Sequence, residues 1–274
     1  MRNAILIFGA HHDDELAMAG TIARLARQGC DVHLAVLTDG CEGYPAPGLR
    51  ASIVAARKRE AAECDRILGI RERVALDRPD MGLVCDKATL QECIRLVRRV
   101  RPRAIFGHGP ADAHTEHRAA HRLGVDACWH AGEPVSAALG EPWKTPVFFY
   151  YRGMGPGGPA LPMVALDVTE LAYKRLEAQA AQKSQFSLWA TTPDAVLARA
   201  AALRERPEPA RHAVVEPFEI PRAVLAREGA DVHAFERRDR TGAEPDHVDA
   251  EARIVFARQP LGAMPEQAGD MGCF

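Results

Sequence analysis

The sequence predicts an α/β fold in which a mostly parallel sheet carries helices on both faces, and three observations predict it. Apolar runs of strand length alternate with longer stretches of helical spacing through the first half of the chain. Several of those runs are apolar throughout, as strands covered on both sides must be. Glycines close the helices where the chain turns back toward the sheet.

The elements follow in order. Residues 4 to 10 (AILIFGA) are a buried strand, and 15 to 28 have helical spacing ended by Gly29. DVHLAVLTDG (31 to 40) is the second strand, a Gly/Pro-rich loop covers 40 to 49, and a helix from about 51 to 68 stops at Gly69. A short strand at Val74 to Leu76, a helix at 87 to 100, the strand RAIFGHG (103 to 109) and a helix near 117 to 131 complete the regular alternation. Beyond Gly132, TPVFFYYR (145 to 152) and MVALDVT (163 to 169) read as strands around the flexible GMGPGGPALP, with helices at 170 to 186 and 193 to 204. Residues 205 to 247, rich in Arg, Glu and Pro, predict irregular chain, 250 to 258 a late edge strand, and the last dozen residues a frayed tail. The division expected is a domain over 1–204 and an extension over 205–274 that packs on it and is partly irregular.

Composition narrows the function. With 274 residues, 47% of them hydrophobic, the chain can bury a large core. A formal charge of −2 supplies no basic field to gather nucleic acid or anionic lipid. No stretch approaches the roughly 18 to 20 apolar residues of a membrane span, and the first apolar strand runs directly into charges, unlike a signal peptide. Seven cysteines, an odd set without CxxC pairs, point to a reduced, cytoplasmic protein, and the weak charge fits a small or neutral substrate better. Assembly into a homo-oligomer is compatible with all of this and left open.

Chemistry is concentrated in two clusters. His11-His12-Asp13-Asp14-Glu15 stands where the first strand ends and its helix begins; Asp112-Ala-His114-Thr-Glu116-His117 likewise follows RAIFGHG and precedes a helix. Ligands of open α/β sheets bind beyond the carboxyl ends of the strands. Either cluster alone reads equally well as a solvated loop with a helix-capping aspartate. If the two strands are neighbours, His11, Asp14 and His117 converge as two nitrogens and one oxygen and leave a position for water, as catalytic zinc requires. No cysteine lies close in sequence to either cluster, which argues against a structural zinc site. Asp39, at the end of the second strand, either lines the pocket or forms an Asx turn; Arg50 and Arg57 are candidates for a sugar hydroxyl or phosphate, and His108 and His121 for supporting hydrogen bonds.

At these residues a resemblance becomes specific. AHHDDE at 10 to 15 resembles the AHPDDE signature of the LmbE-like, or PIG-L, deacetylase family, and DAHTEH at 112 to 117 resembles that family's HPDH motif. Arg57 and Glu60, Lys183-Ser184-Gln185 and VVEPFE at 214 to 219 extend the likeness over roughly residues 4 to 220. The resemblance implies a Rossmann-like sheet and zinc-dependent removal of the acyl group from an N-acetylglucosamine-type sugar, with Fe, Mn, Co or Ni as alternative metals. It implies His11, Asp14 and His117 as metal ligands, Asp13 as general base, and His114 as acid or oxyanion stabiliser.

Two positions depart from the family pattern. His12 replaces proline, which frees a φ angle and adds an imidazole, read here as pointing away from the metal. Glu116 stands where the family has Asp and keeps a carboxylate able to hold an imidazole by a hydrogen bond, one methylene further out. Other readings are a metallophosphoesterase, an amidase acting on a thiol conjugate, and a catalytically silent sugar-binding member; retention of both Asp13 and His114 argues against the last.

Overall fold

The computed structural model describes residues 3–151, 163–189, 191–205 and 215–219. Seven strands form one sheet: β1 (Ala4–Gly9), β2 (Asp31–Thr38), β3 (Glu72–Arg78), β4 (Ala104–His108), β5 (Val147–Tyr151), β6 (Met163–Asp167) and β7 (Val215–Glu219). Their order is β3-β2-β1-β4-β5-β7-β6. The first five run parallel, and β7 pairs antiparallel with both β5 and β6. The predicted mostly parallel, Rossmann-like α/β fold is the one observed.

Among the described residues six helices accompany the sheet: α1 (Ala19–Arg27), α2 (Arg50–Leu68), α3 (Lys87–Val100), α4 (Thr115–Ala131), α5 (Ala172–Ala181) and α6 (Pro193–Arg204). Continuous apolar strands are explained by cover on both sides. Leu6, Phe8, Leu37, Ile105 and Phe148 join one core with α3 and α4. Alternate residues such as Ile5, Ile7, Leu34, Val36 and Phe149 are also buried, and α1 packs against β2, α2 and α5. Gly69 ends α2 with φ 78°, a conformation that L side chains rarely adopt.

Some element boundaries differ from those predicted, for local reasons. β3 is seven residues rather than three, because an edge strand need not be apolar along its length. The first helix opens as a 3-10 turn, Asp14–Met18, before α1. α4 begins two residues early, at Thr115, because His114 caps it. The helix predicted over 170 to 186 is α5 flanked by 3-10 segments at Thr169–Leu171 and Lys183–Leu188. Within 205 to 247, predicted irregular, Val215–Glu219 is a strand; the rest of that interval, the 250–258 strand, the tail and the 152–162 connection lie outside the described residues. One compact unit spans Met1–Pro221, and Arg222–Phe274 is a second, outside the description.

β7 does more than extend the sheet. Its Glu216 is buried, and its carboxylate accepts the N–H groups of Gly20 at 2.9 Å and Thr21 at 2.7 Å, two first-turn donors of α1 that lack helical partners. Truncating Glu216→Ala strands both donors away from water. We expect a loss of about 2 to 3 kcal/mol of unfolding free energy, read from urea denaturation.

Candidate metal centre and active site

The site is built on the neighbouring ends of β1 and β4. Gly9 ends β1, and a Cβ there would sit 3.2 Å from Asp14 Cβ, so the absence of a side chain lets the turn fold Asp14 back beneath the strand end. Asp14 Oδ2 then accepts the N–H of Ala10 at 2.6 Å and of His11 at 2.8 Å, with His108 Nε2 at 2.9 Å. Asp14 Oδ1 faces His117 Nε2 at 3.3 Å, and that nitrogen lies 3.3 Å from His11 Nδ1. His11 Nδ1 is 3.8 Å from Asp14 Oδ2. Ligand atoms around a tetrahedral ion with bonds of about 2.0 to 2.1 Å stand about 3.3 Å apart, the spacing at which both His11 Nδ1 and Asp14 Oδ1 lie from His117 Nε2. Three further groupings share these residues: His114 with His11 and His117, His108 with Asp14 and His117, and Asp80 and Glu116 with His11.

His11 and His117 each have a carboxylate behind the ring, the arrangement that orients histidine ligands. His11 Nε2 lies 3.0 Å from Glu116 Oε2 and 3.4 Å from Asp80 Oδ1; His117 Nδ1 lies 3.1 Å from Asp112 Oδ1. Burial alone lowers an imidazole's pKa, yet the hydrogen bonds of His11 to Asp14 and Asp80 outweigh it and carry His11 up to about 11. His117 is raised too, against its burial, by Asp14 and Asp112. Asp14 is held well below the usual carboxylate range because His108, His11 and His117 overcome the cost of burying it. The pocket demands positive charge, from protons or from a metal ion.

The remaining residues divide into those the structure brings to the centre and those it does not. Asp13 is half-buried, and its Oδ1 accepts from Arg57 Nη2 at 2.8 Å. Arg57 is buried rather than a surface arginine, raised against burial by Asp13, and serves that carboxylate. The His114 ring stands edge-on to His11, centroids 4.8 Å apart, and its Nδ1 accepts the N–H of Glu116 at 3.3 Å. Burial first, then the neighbouring His11 and His117, lowers its pKa.

Asp39 Oδ1 accepts the N–H of Cys41 at 3.0 Å and of Asp80 at 3.2 Å, the Asx-turn alternative, with a second bond that fastens Asp80. Arg50 is exposed and pairs with Glu42 at 3.0 Å, while Glu42 N–H donates to Asp80 Oδ2 at 3.3 Å, which puts Arg50 at the rim. His12 is buried, near Gly40 and held neutral at about pKa 4 by burial and by Arg73 and Arg57. Its two ring nitrogens meet no protein partner among the described residues. His121 Nδ1 donates to the His108 carbonyl at 2.9 Å and supports the strand end. Sequence reasoning missed Asp80 as a site residue because β3 was read too short; a carboxylate just past a parallel strand end was the available signal. It noted Asp112 without giving it a role.

The profile of the PIG-L family, described as GlcNAc-PI de-N-acetylase, matches residues 6–128. The diacetylchitobiose deacetylase of Thermococcus kodakarensis is 28% identical over 193 residues, covering 66% of this chain and 70% of that enzyme. The 1D-myo-inositol 2-acetamido-2-deoxy-alpha-D-glucopyranoside deacetylase of Segniliparus rotundus is 30% identical over 189 residues, 56% of this chain and 58% of the enzyme. Among solved structures, the conserved protein TT1542 of Thermus thermophilus superposes with a TM-score of 0.64 at 31% identity, over 81% of this chain and 95% of its own.

The charge balance gives a prediction for the metal-free protein. The His11 value of about 11 stands above the roughly 6.5 of an unfolded chain, so proton binding favours the fold. That contribution is complete below about pH 6.5 and is lost as pH rises toward 11. Metal-stripped protein should lose stability over that interval, His117 acting in the same sense, while zinc-loaded protein loses less. Urea midpoints of both forms at about pH 6, 8 and 9.5 read the difference; parallel curves would contradict it.

Proposed function

The chain belongs to the PIG-L family, and from that premise we propose that it is a metal-dependent deacetylase that hydrolyses the amide of an N-acetylated amino sugar to acetate and the free amine. The observation that carries the proposal is the approach of His11 Nδ1 to His117 Nε2 at 3.3 Å, with Asp14 Oδ1 3.3 Å from the same His117 nitrogen. These three residues would hold the ion, and two nitrogens with one carboxylate suit zinc, with Fe, Mn, Co or Ni as alternatives. When bound, the ion supplies Lewis acidity that polarises a carbonyl and acidifies water.

The protein's own groups move the protons. Asp13 accepts a proton from the attacking water as the new C–O bond forms; Arg57 holds Asp13 Oδ1, so the carboxylate has a fixed orientation for that task. His114 uses Nδ1 to accept a backbone N–H, so its neutral ring carries its proton on Nε2. As charge grows on the former carbonyl oxygen, Nε2–H can donate to it. The depressed pKa of that ring supports the neutral form. When the C–N bond breaks, the amine takes the proton Asp13 has gained, since His114 has no second proton to give.

Both named relatives act on acetamido sugars, which makes an N-acetylglucosamine unit the first substrate to try. No described helix is long and apolar enough to cross a membrane. The described cysteines are free thiols, which supports placing the reaction in the reducing cytoplasm.

The test is release of acetate from a panel of acetamido sugars alongside phosphate from phosphomonoesters. Acetate without phosphate is expected, and the reverse overturns the proposal. Asp13→Asn retains an acceptor for Arg57; it should keep one metal per chain while kcat/KM falls by about 10² to 10⁴. His11→Ala should lose metal and turnover together. Near-normal turnover in Asp13→Asn would remove Asp13 from its role.

A further inference from the structure

Asp14 has two oxygens, and the structure uses them unequally. Oδ2 gathers Ala10 N–H at 2.6 Å, His11 N–H at 2.8 Å and His108 Nε2 at 2.9 Å. Three donors saturate one carboxylate oxygen. Oδ1 instead faces His117 Nε2 at 3.3 Å, on the side of the proposed ion. For Asp14 to grip an ion through both oxygens, Oδ2 would have to give up at least one of these donors.

Two of the donors are backbone groups that any sequence supplies; the third is a side chain. His108 is 1% exposed and fixed on every side. Its ring stacks on His117 with centroids 3.9 Å apart, meets the edge of Tyr151 at 4.8 Å, and its carbonyl accepts from His121. The distances place its proton: Nε2 lies 2.9 Å from Asp14 Oδ2, whereas Nδ1 is 4.0 Å from Asp112 Oδ2. Ala10 N also lies 3.3 Å from His108 Nε2, but its 2.6 Å contact assigns that amide hydrogen to Asp14.

We propose that His108 is a positioning residue that, by donating Nε2–H to Asp14 Oδ2, commits Asp14 to offer a single oxygen to the metal ion. The inference rests on the metal-site reading above. Its consequence is a low coordination number from protein: two imidazoles and one carboxylate oxygen leave room for water and a substrate carbonyl, which a two-oxygen grip would crowd.

The test uses cobalt(II) in place of zinc, because its visible absorption weakens as coordination number rises. Gln at this position keeps a donor where Nε2 stood; Phe keeps a ring without one. In H108F we expect metal affinity to fall by about 10- to 100-fold and the absorption to weaken, while H108Q stays near wild type in both. H108F matching wild type in affinity and spectrum, or H108Q as impaired as H108F, overturns the proposal. Should H108F fail to fold, X-ray absorption on zinc-loaded wild-type protein decides alone: a four-coordinate shell supports it, and a shell with two carboxylate oxygens overturns it. A wild-type protein that binds metal but releases acetate from no acetamido sugar would overturn the deacetylase reading and leave this one standing.

Discussion

Parallel pairing of β1 with β4 is the contact on which the site depends. The register Ile5 with Ala104, Leu6 with Ile105 and Ile7 with Phe106 sets the two carboxyl ends side by side. The chain steps outward from β1 to β2 and β3, then crosses back to place β4 on the opposite flank, so the strand order reverses between β1 and β4. Crevices at such switch points are where open α/β sheets bind ligands. An antiparallel pairing would have put the two histidine clusters at opposite ends of the sheet. Here His11 and Glu116, 105 residues apart in sequence, come within 3.0 Å.

Once the strand ends meet, electrostatics fixes what can occupy the crevice. Asp14, Asp80, Asp112 and Glu116 all approach the rings of His11, His108 and His117. Burying carboxylates is unfavourable unless positive charge or donors compensate. In the metal-free state protons on the imidazoles supply that charge, which is why His11 and His117 are raised despite burial. A divalent ion supplies more charge in the same place. The clustered carboxylates and the perturbed protonation are therefore two expressions of one imbalance.

Much of this was legible in the sequence, and the reasons are physical. Continuous apolar strands and helical spacing depend on burial, which leaves a local imprint, so every strand among the described residues of 1–205 was read near its place. Ionisable runs directly after apolar strands are hard to reconcile with packing, so the first cluster and His114 to His117 stood out. What stayed hidden depends on register and side-chain direction. β3 carries few apolar residues because it lies at the edge, and the short reading of it concealed Asp80. Arg57 reads as a candidate for a sugar hydroxyl or phosphate; only the fold shows that its helix face turns inward onto Asp13 instead. β7 lay in a stretch whose composition suggested irregular chain, and antiparallel pairing between two neighbours replaces the hydrophobic signal that a lone strand would need.

The Glu in place of the family's Asp at position 116 shows how one methylene joins chemistry to architecture. Glu116 Oε2 reaches His11 Nε2 at 3.0 Å while Oε1 accepts the N–H of Leu83 at 3.0 Å, a buried bond. Asp80 repeats the pattern from the other side, with one oxygen toward His11 and the other toward the N–H of Glu42. Two loops, one after β2 and one after β3, are thereby tied to the carboxylates that orient a single imidazole. Loops tolerate sequence change because few of their contacts are buried. Here the two carboxylates are tied to the loops through backbone N–H groups, which survive almost any side-chain substitution. The outward side chains nearby, Arg50 at the start of α2 and the exposed Met81 in the loop after β3, take no part in these bonds.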